Sequence, residues 1–310
     1  MIKLRYFLWF LLSGASVSVG WAQDPVQPAL NLGMTGLLDG APPSTGLFYF
    51  NYLEHYAADE LVTPGGHIPI DLDATVWLHQ LSYISQKKVL GGHLGGTVLF
   101  PLVRLRGSGQ VGTDRDGQPV MLTENPGVAG DLVITPLIQW FDKRLFGKPF
   151  FHRFEPSWII PVGSYDPAYL LNPGSNHVSF QPFYAFTLFL SDRWAISQRH
   201  HYVYHFENPE NHWQTGQVYY GVYSVEYQLD QAFWVALQGY ALHQLTQDRI
   251  HDEVSSVATR ERIAAIGPSI NYFIKGWMIG IKTQVEFAAR GRPEGIRSRI
   301  RVVKSLTNQR

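Results

Sequence analysis

The run Gly107-Ser108-Gly109-Gln110-Val111-Gly112 spells G-x-G-x-x-G, the spacing with which a dinucleotide-binding turn brings backbone N–H groups against a pyrophosphate. That chemistry needs a strand before the glycines and a helix after them. The next residues, Thr113-Asp114-Arg115-Asp116-Gly117-Gln118-Pro119, have loop composition, so the glycines read as turn residues. Asp114 and Asp116 raise calcium, yet Gly117 arrives two positions too early for an EF-hand loop. Twelve histidines invite a metal, above all His200, His201, His205 and His212. On a strand His200 and His201 point to opposite faces, and His201 stands about 13 Å from His205, too far to share one ion. For serine catalysis there is no G-x-S-x-G, and no Ser/His pair is marked by spacing. The sequence therefore predicts no catalytic residue, no metal and no cofactor.

A second group of charged residues falls on one parity of apolar segments: Asp71, Asp73, Asp131, Arg153, Glu155, Arg199, His201, Glu226, Lys282, Glu286, Arg297, Arg299 and Arg301. Two roles suit charges of mixed sign facing inward: ion-pair ladders that brace a closed interior, or the lining of a path through it. Periodicity does not choose between them.

The elements that must carry this set show themselves by alternation. From Trp277, the residues Trp277, Ile279, Ile281, Thr283, Val285 and Phe287 form one face, against Met278, Gly280, Lys282, Gln284 and Glu286 on the other. Ile296, Ile300 and Val302 likewise oppose Arg297, Arg299 and Arg301, and Ile68 to Leu78 oppose Asp71, Asp73 and Thr75. The pattern predicts about twelve strands, near 46–56, 68–84, 89–105, 128–141, 149–163, 177–190, 194–206, 215–229, 232–246, 261–274, 277–289 and 295–306. Short joins at 85–88, 142–148, 191–193, 229–231 and 275–276 alternate with long ones at 57–67, 106–127, 164–176, 207–214 and 247–260. Aromatic residues flank the short joins, as at Phe189 and Trp194 or Phe273 and Trp277. Strict alternation of this kind is what an all-β, closed, antiparallel transmembrane β-barrel writes, with short periplasmic turns and long outer loops. An even strand number places both termini on the periplasmic side.

Composition agrees. Charged residues make up 16% and aromatic residues 14% of the 310 residues, and the mean hydropathy of −0.09 is what an apolar outer face averaged with a polar lumen gives. Zero net charge offers no bulk attraction to nucleic acid. Cysteine is absent, and a fully hydrogen-bonded closed sheet needs no disulfide. Lys3 and Arg5, the apolar run Tyr6–Leu12 and Gly20-Trp21-Ala22 read as a cleaved export leader over 1–22. Residues 23–45 then form an N-terminal periplasmic segment, and 46–310 the barrel. The segment is rich in Gly, Pro and Leu without alternation. Its Leu30, Leu32, Met34, Leu37 and Leu38 need shelter from water, and the lumen is nearest. It is predicted to fold inward as a partial plug, with Asp39 meeting Arg297, Arg299 or Arg301.

Several stretches carry a resemblance: Asn31-Leu32-Gly33 with Leu38-Asp39-Gly40, Pro161-Val162-Gly163-Ser164-Tyr165-Asp166-Pro167, Asn172 and Asn176, Gly239-Tyr240, and Ile266-Gly267-Pro268. With them the chain resembles the family of outer-membrane barrels associated with the meta-cleavage pathway of phenol degradation. The resemblance implies movement of small hydrophobic or aromatic compounds across the outer membrane and brings no catalytic residue. Its expected partners are outer-membrane lipids, a small hydrophobic solute and the barrel-assembly machinery. Many such barrels end on an aromatic residue that this machinery reads, whereas this chain ends Lys304-Ser305-Leu306-Thr307-Asn308-Gln309-Arg310, so either the signal is degenerate and Leu306 closes the last strand, or the tail extends past it. The alternatives are an outer-membrane hydrolase of lipase-like type and a plugged structural barrel without transport.

Overall fold

The computed structural model describes residues 32–307 apart from 35, 43, 114, 115 and 256–259. The leader expected over 1–22 lies outside the described residues. Twelve strands close into one sheet: β1 (Gly46–Thr63), β2 (Gly66–Val89), β3 (Gly92–Ser108), β4 (Leu132–Leu145), β5 (Lys148–Ile160), β6 (Ser179–Phe189), β7 (Trp194–His205), β8 (Val218–Gln228), β9 (Phe233–Gln244), β10 (Arg262–Ile274), β11 (Trp277–Arg290) and β12 (Arg292–Ser305). Each pairs antiparallel with its neighbours in the chain, and β12 closes on β1 with Tyr52 opposite Arg301 and Glu54 opposite Arg299. Closure leaves the sheet no free edge, which a membrane demands of any β structure that crosses it.

The alternation sorts as a bilayer requires. On β11, Ile279, Ile281, Val285 and Phe287 are exposed while Lys282, Gln284 and Glu286 are buried, the reverse of a protein in water. Replacing Ile281 by Arg sets a charge in this belt at a cost of about 2–4 kcal/mol near the midplane. The folded, heat-modifiable band should fall sharply in outer-membrane fractions; an undiminished band would mean that Ile281 does not face lipid.

Three inner turns are two-residue joins, Leu90-Gly91, Phe146-Gly147 and Lys275-Gly276, with φ positive at both positions (51° and 74°, 53° and 74°, 41° and 77°). Two successive positive φ values match the right-handed twist of the flanking strands, and only glycine adopts the second without strain. The turn 229–232 is instead capped by Asp230, whose Oδ1 accepts from the N–H groups of Ala232 and Phe233 at 2.8 Å. Above these turns stand the rings of Trp194 and Tyr227 (4.7 Å), Phe233 and Tyr272 (4.7 Å), and Trp277 beneath the Lys304 ammonium (4.4 Å), an interfacial girdle.

The outer side differs from expectation in two joins. Residues 57–67 are not a long loop: β1 and β2 continue through a bulge between Ala58 and Glu60 to a turn at Pro64-Gly65. β11 and β12 meet through Gly291 alone, at φ 66°. This extension corrects the placement of Asp71 and Asp73. Both point outward, Asp73 lying 3.5 Å from His55, while Leu72, Ala74, Val76 and Leu78 are buried inside against Leu99, Val103 and Leu105. Where strands stand clear of the bilayer the outward face meets water, so the polar parity turns out and the apolar parity turns in. The alternation was legible there; the side was not.

Candidate functional site

The inward parity of β1, β11 and β12 builds a charged wall. Arg297 pairs with Glu54 and lies 3.6 Å from Glu286, and Arg299 pairs with the same Glu54. Glu286 also accepts from the Tyr56 hydroxyl at 2.8 Å, from the Gly295 N–H at 3.0 Å and from Tyr240. The Arg297 guanidinium lies 4.6 Å over the Tyr56 ring. Charges removed from water need both a counter-charge and filled hydrogen-bond positions; four strands supply the counter-charges and most of the hydrogen bonds, with Arg297 Nε left unfilled. Facing it, Arg153 and Glu155 of β5 meet at 2.6 Å, and Arg199 of β7 lies 4.5 Å over Phe183.

Between the two walls runs the segment before β1. Residue 45 joins β1 at the inner end, while Leu32 is buried with Val203, Val218, Leu242 and Ile263, at the outer ends of their strands. The described residues between 32 and 45 therefore climb through the lumen. Asp39 accepts from Arg153 at 3.1 Å and from Arg199 at 2.5 Å. The Leu38 N–H donates to Glu226 at 2.9 Å, the Gly40 N–H to Thr187 Oγ1 at 2.9 Å, and Gln139 donates to the Gly40 carbonyl at 2.9 Å. The Gly33 carbonyl accepts from Arg299 at 2.7 Å and from Lys282. A segment without regular structure must satisfy its buried backbone groups one by one; side chains on five strands do so here, and two more hold the Asp39 carboxylate. Gly33 sits at φ 65°, and a Cβ there would collide with Tyr240; a Cβ at Gly40 would strike the backbone of β6 at Phe186 and Thr187. Close approach to the wall is why glycine stands at both positions.

Arg153, Glu155, Arg199, Glu226, Lys282, Glu286, Arg297, Arg299 and Arg301 all face this interior, as does His201, stacked on Tyr220 at 4.1 Å. Asp131 is buried but belongs to the outer loops, where it accepts from the Gly163 and Ser175 N–H groups at 3.0 and 2.8 Å and from Ser175 Oγ at 2.6 Å. Asp39 meets Arg153 and Arg199 rather than Arg297, Arg299 or Arg301, because Glu54 already holds the first two of those. Glu54, Gln139 and Thr187 carry weight that the sequence did not announce. Glu54 shares parity with Tyr52 and Tyr56, and that parity was the available signal.

One Ser/His contact does form. Ser179 Oγ lies 3.0 Å from His205 Nδ1, and His177 Nε2 lies 3.2 Å from the same nitrogen. Both neighbours meet one ring nitrogen, whereas a hydrolytic triad needs serine on one nitrogen and an acid on the other. Among the described residues no group of three or more His, Cys, Asp or Glu is placed to hold a metal ion.

A model of the family described as the MetA-pathway of phenol degradation matches residues 58–302. No curated protein matches the chain. The COG4313 outer membrane channel from Pseudomonas putida F1 superposes with a TM-score of 0.71 at 17% identity, over 87% of this chain and 98% of that chain. The CymD monoaromatic hydrocarbon channel gives 0.46 at 8% identity over 86% and 90%, and the NanC porin 0.44 at 8% over 84% and 100%. The first shares the barrel fold; the other two are too distant to carry an argument.

Proposed function

The chain belongs to the family described as the MetA-pathway of phenol degradation, and we propose that it sits in the outer membrane and passes small apolar or aromatic solutes, with residues 32–45 as a movable plug. The observation that carries this is the apolar inner wall of β1 to β4. Val76, Leu78, Leu99, Val103 and Val133 line the inside of a transmembrane barrel, where a water-filled pore would be polar. Met34 of the plug packs against that wall, so a solute that takes its place meets an apolar surface. The plug's remaining hold is the packing of Leu32 and Leu37 against the inner wall, a set of separate hydrogen bonds and one double ion pair, and its polar contacts can exchange with water without breaking the barrel. The resemblance to an outer membrane channel supports passage rather than catalysis.

Uptake of a labelled neutral aromatic by cells that carry or lack the protein tests this. Entry should be several-fold faster with the protein at low external concentration. Equal rates, with the folded barrel confirmed in the outer membrane, would leave the plugged structural barrel as the better account.

A further inference from the structure

At the inner mouth, between the turn joining β4 to β5 and the turn joining β6 to β7, a cleft of about 490 Å³ opens to solvent, lined by Arg144, Lys148, Phe151, Phe189, Ser191 and Asp192. Its apolar part is aromatic. Phe151 and Phe189 meet edge to face at 5.7 Å, and Phe189 meets Trp234 in the same manner at 6.5 Å. Its rim carries two cations against one carboxylate. Arg144 donates to the Gly147 carbonyl at 2.8 Å, which anchors the side chain at the turn while using one of its five N–H donors. The cleft borders the plug. Phe151 and Arg153 share the inward face of β5, and Phe189 and Thr187 that of β6, each pair about 7 Å apart along its strand; Arg153 and Thr187 hold Asp39 and Gly40.

Two chemistries side by side select a ligand that has both. A neutral hydrocarbon makes no use of the cations, and inorganic phosphate makes none of the rings. We propose that this cleft binds a small flat aromatic bearing one carboxylate or phenolate group, with its ring against Phe151 and Phe189 and its anionic oxygen at Arg144 and Lys148. The inference rests on the proposed function, that aromatic solutes pass this barrel, but binding can be measured without passage.

Titration calorimetry on the full-length protein in detergent, with benzoate, toluene and inorganic phosphate as separate probes, tests it. Benzoate should bind more tightly than phosphate. In a folded Arg144→Gln/Lys148→Gln variant its affinity should fall at least about tenfold, the scale of one lost charge-assisted hydrogen bond, while any toluene binding stays unchanged. Phe151→Leu should weaken benzoate and leave phosphate alone. Benzoate affinity that survives the double substitution would overturn the proposal. So would phosphate binding as tightly as benzoate, which would make the rim a general anion patch such as a lipid headgroup would use. If cells still take up a neutral aromatic while the protein fails to bind benzoate, this inference falls and passage stands; benzoate binding without uptake would keep the cleft and remove passage.

Discussion

Removing residues 24–40 while keeping residues 1–23 should turn a closed barrel into a leaking one. Seven strands contribute side chains that hold the segment, and with it gone Arg153, Arg199, Lys282 and Glu226 would be solvated by entering water rather than left bare. The wall should therefore survive, since its own ladder is complete from β1 to β12. If the shut state is favoured about 99 to 1, opening every molecule raises small-solute leak by up to about 100-fold. Liposome swelling with sugar-sized solutes measures the change, and heat-modifiable mobility confirms the fold. A folded deletion variant with the leak of the full chain would show that residues 32–45 do not close the lumen.

Asp39→Ala should reach part of the same state through one side chain. The Asp39 carboxylate is 3% exposed and is shared by Arg153 and Arg199. Without it Arg153 keeps Glu155, but Arg199 loses the carboxylate at 2.5 Å. Stranding a buried charge costs about 3–5 kcal/mol. The molecule can avoid that cost by letting the plug go and admitting water, so the penalty falls on plug docking rather than on the wall. Conductance events should become more frequent by at least about tenfold, staying below the roughly 100-fold ceiling that full opening sets. Arg199→Gln in the same chain should lower the leak again, because the stranded charge is gone and the two changes are coupled. A double variant as leaky as the single one would mean that Asp39 acts through something other than its charge.

Much of this architecture was legible because a bilayer enforces a strict contrast. On β11 every lipid-facing residue from Trp277 to Phe287 except Thr283 is apolar, and Lys282, Gln284 and Glu286 between them are polar, so period two reads directly as in and out. The contrast fails where the solvent changes. At Asp71 and Asp73 the outward face is wet, the polar and apolar parities exchange sides, and nothing local to β2 marks the height at which lipid ends. It fails also where the inward face is aromatic and charged together. Tyr52, Glu54 and Tyr56 gave no apolar stripe to set against Leu53 and His55, so Glu54, the partner of two arginines, went unseen. Contacts across the lumen are a third kind of information. That Asp39 meets β5 and β7 rather than β12 depends on how the plug climbs, and on Glu54 and Glu286 having already engaged Arg297 and Arg299; no spacing within one strand encodes it. The segment itself was legible by need, since Leu32, Met34 and Leu37 had to be buried somewhere and carried no strand pattern.

The most direct measurement exploits the absence of cysteine from the chain. Gly36 faces Gln238 of β9 closely enough that a Cβ at 36 would press on the Gln238 amide, so thiols at the two positions would lie within the span of a short bis-methanethiosulfonate, which bonds each thiol through a disulfide. In a Gly36→Cys/Gln238→Cys variant, this cross-linker should tie the plug to the wall and reduction should release it. If solute moves through the lumen by displacing the plug, uptake of a neutral aromatic by cells, and ion conductance of the purified barrel, should both drop to background when the bond is closed and recover when it is reduced. Full uptake and conductance through the cross-linked, correctly folded barrel would contradict the account.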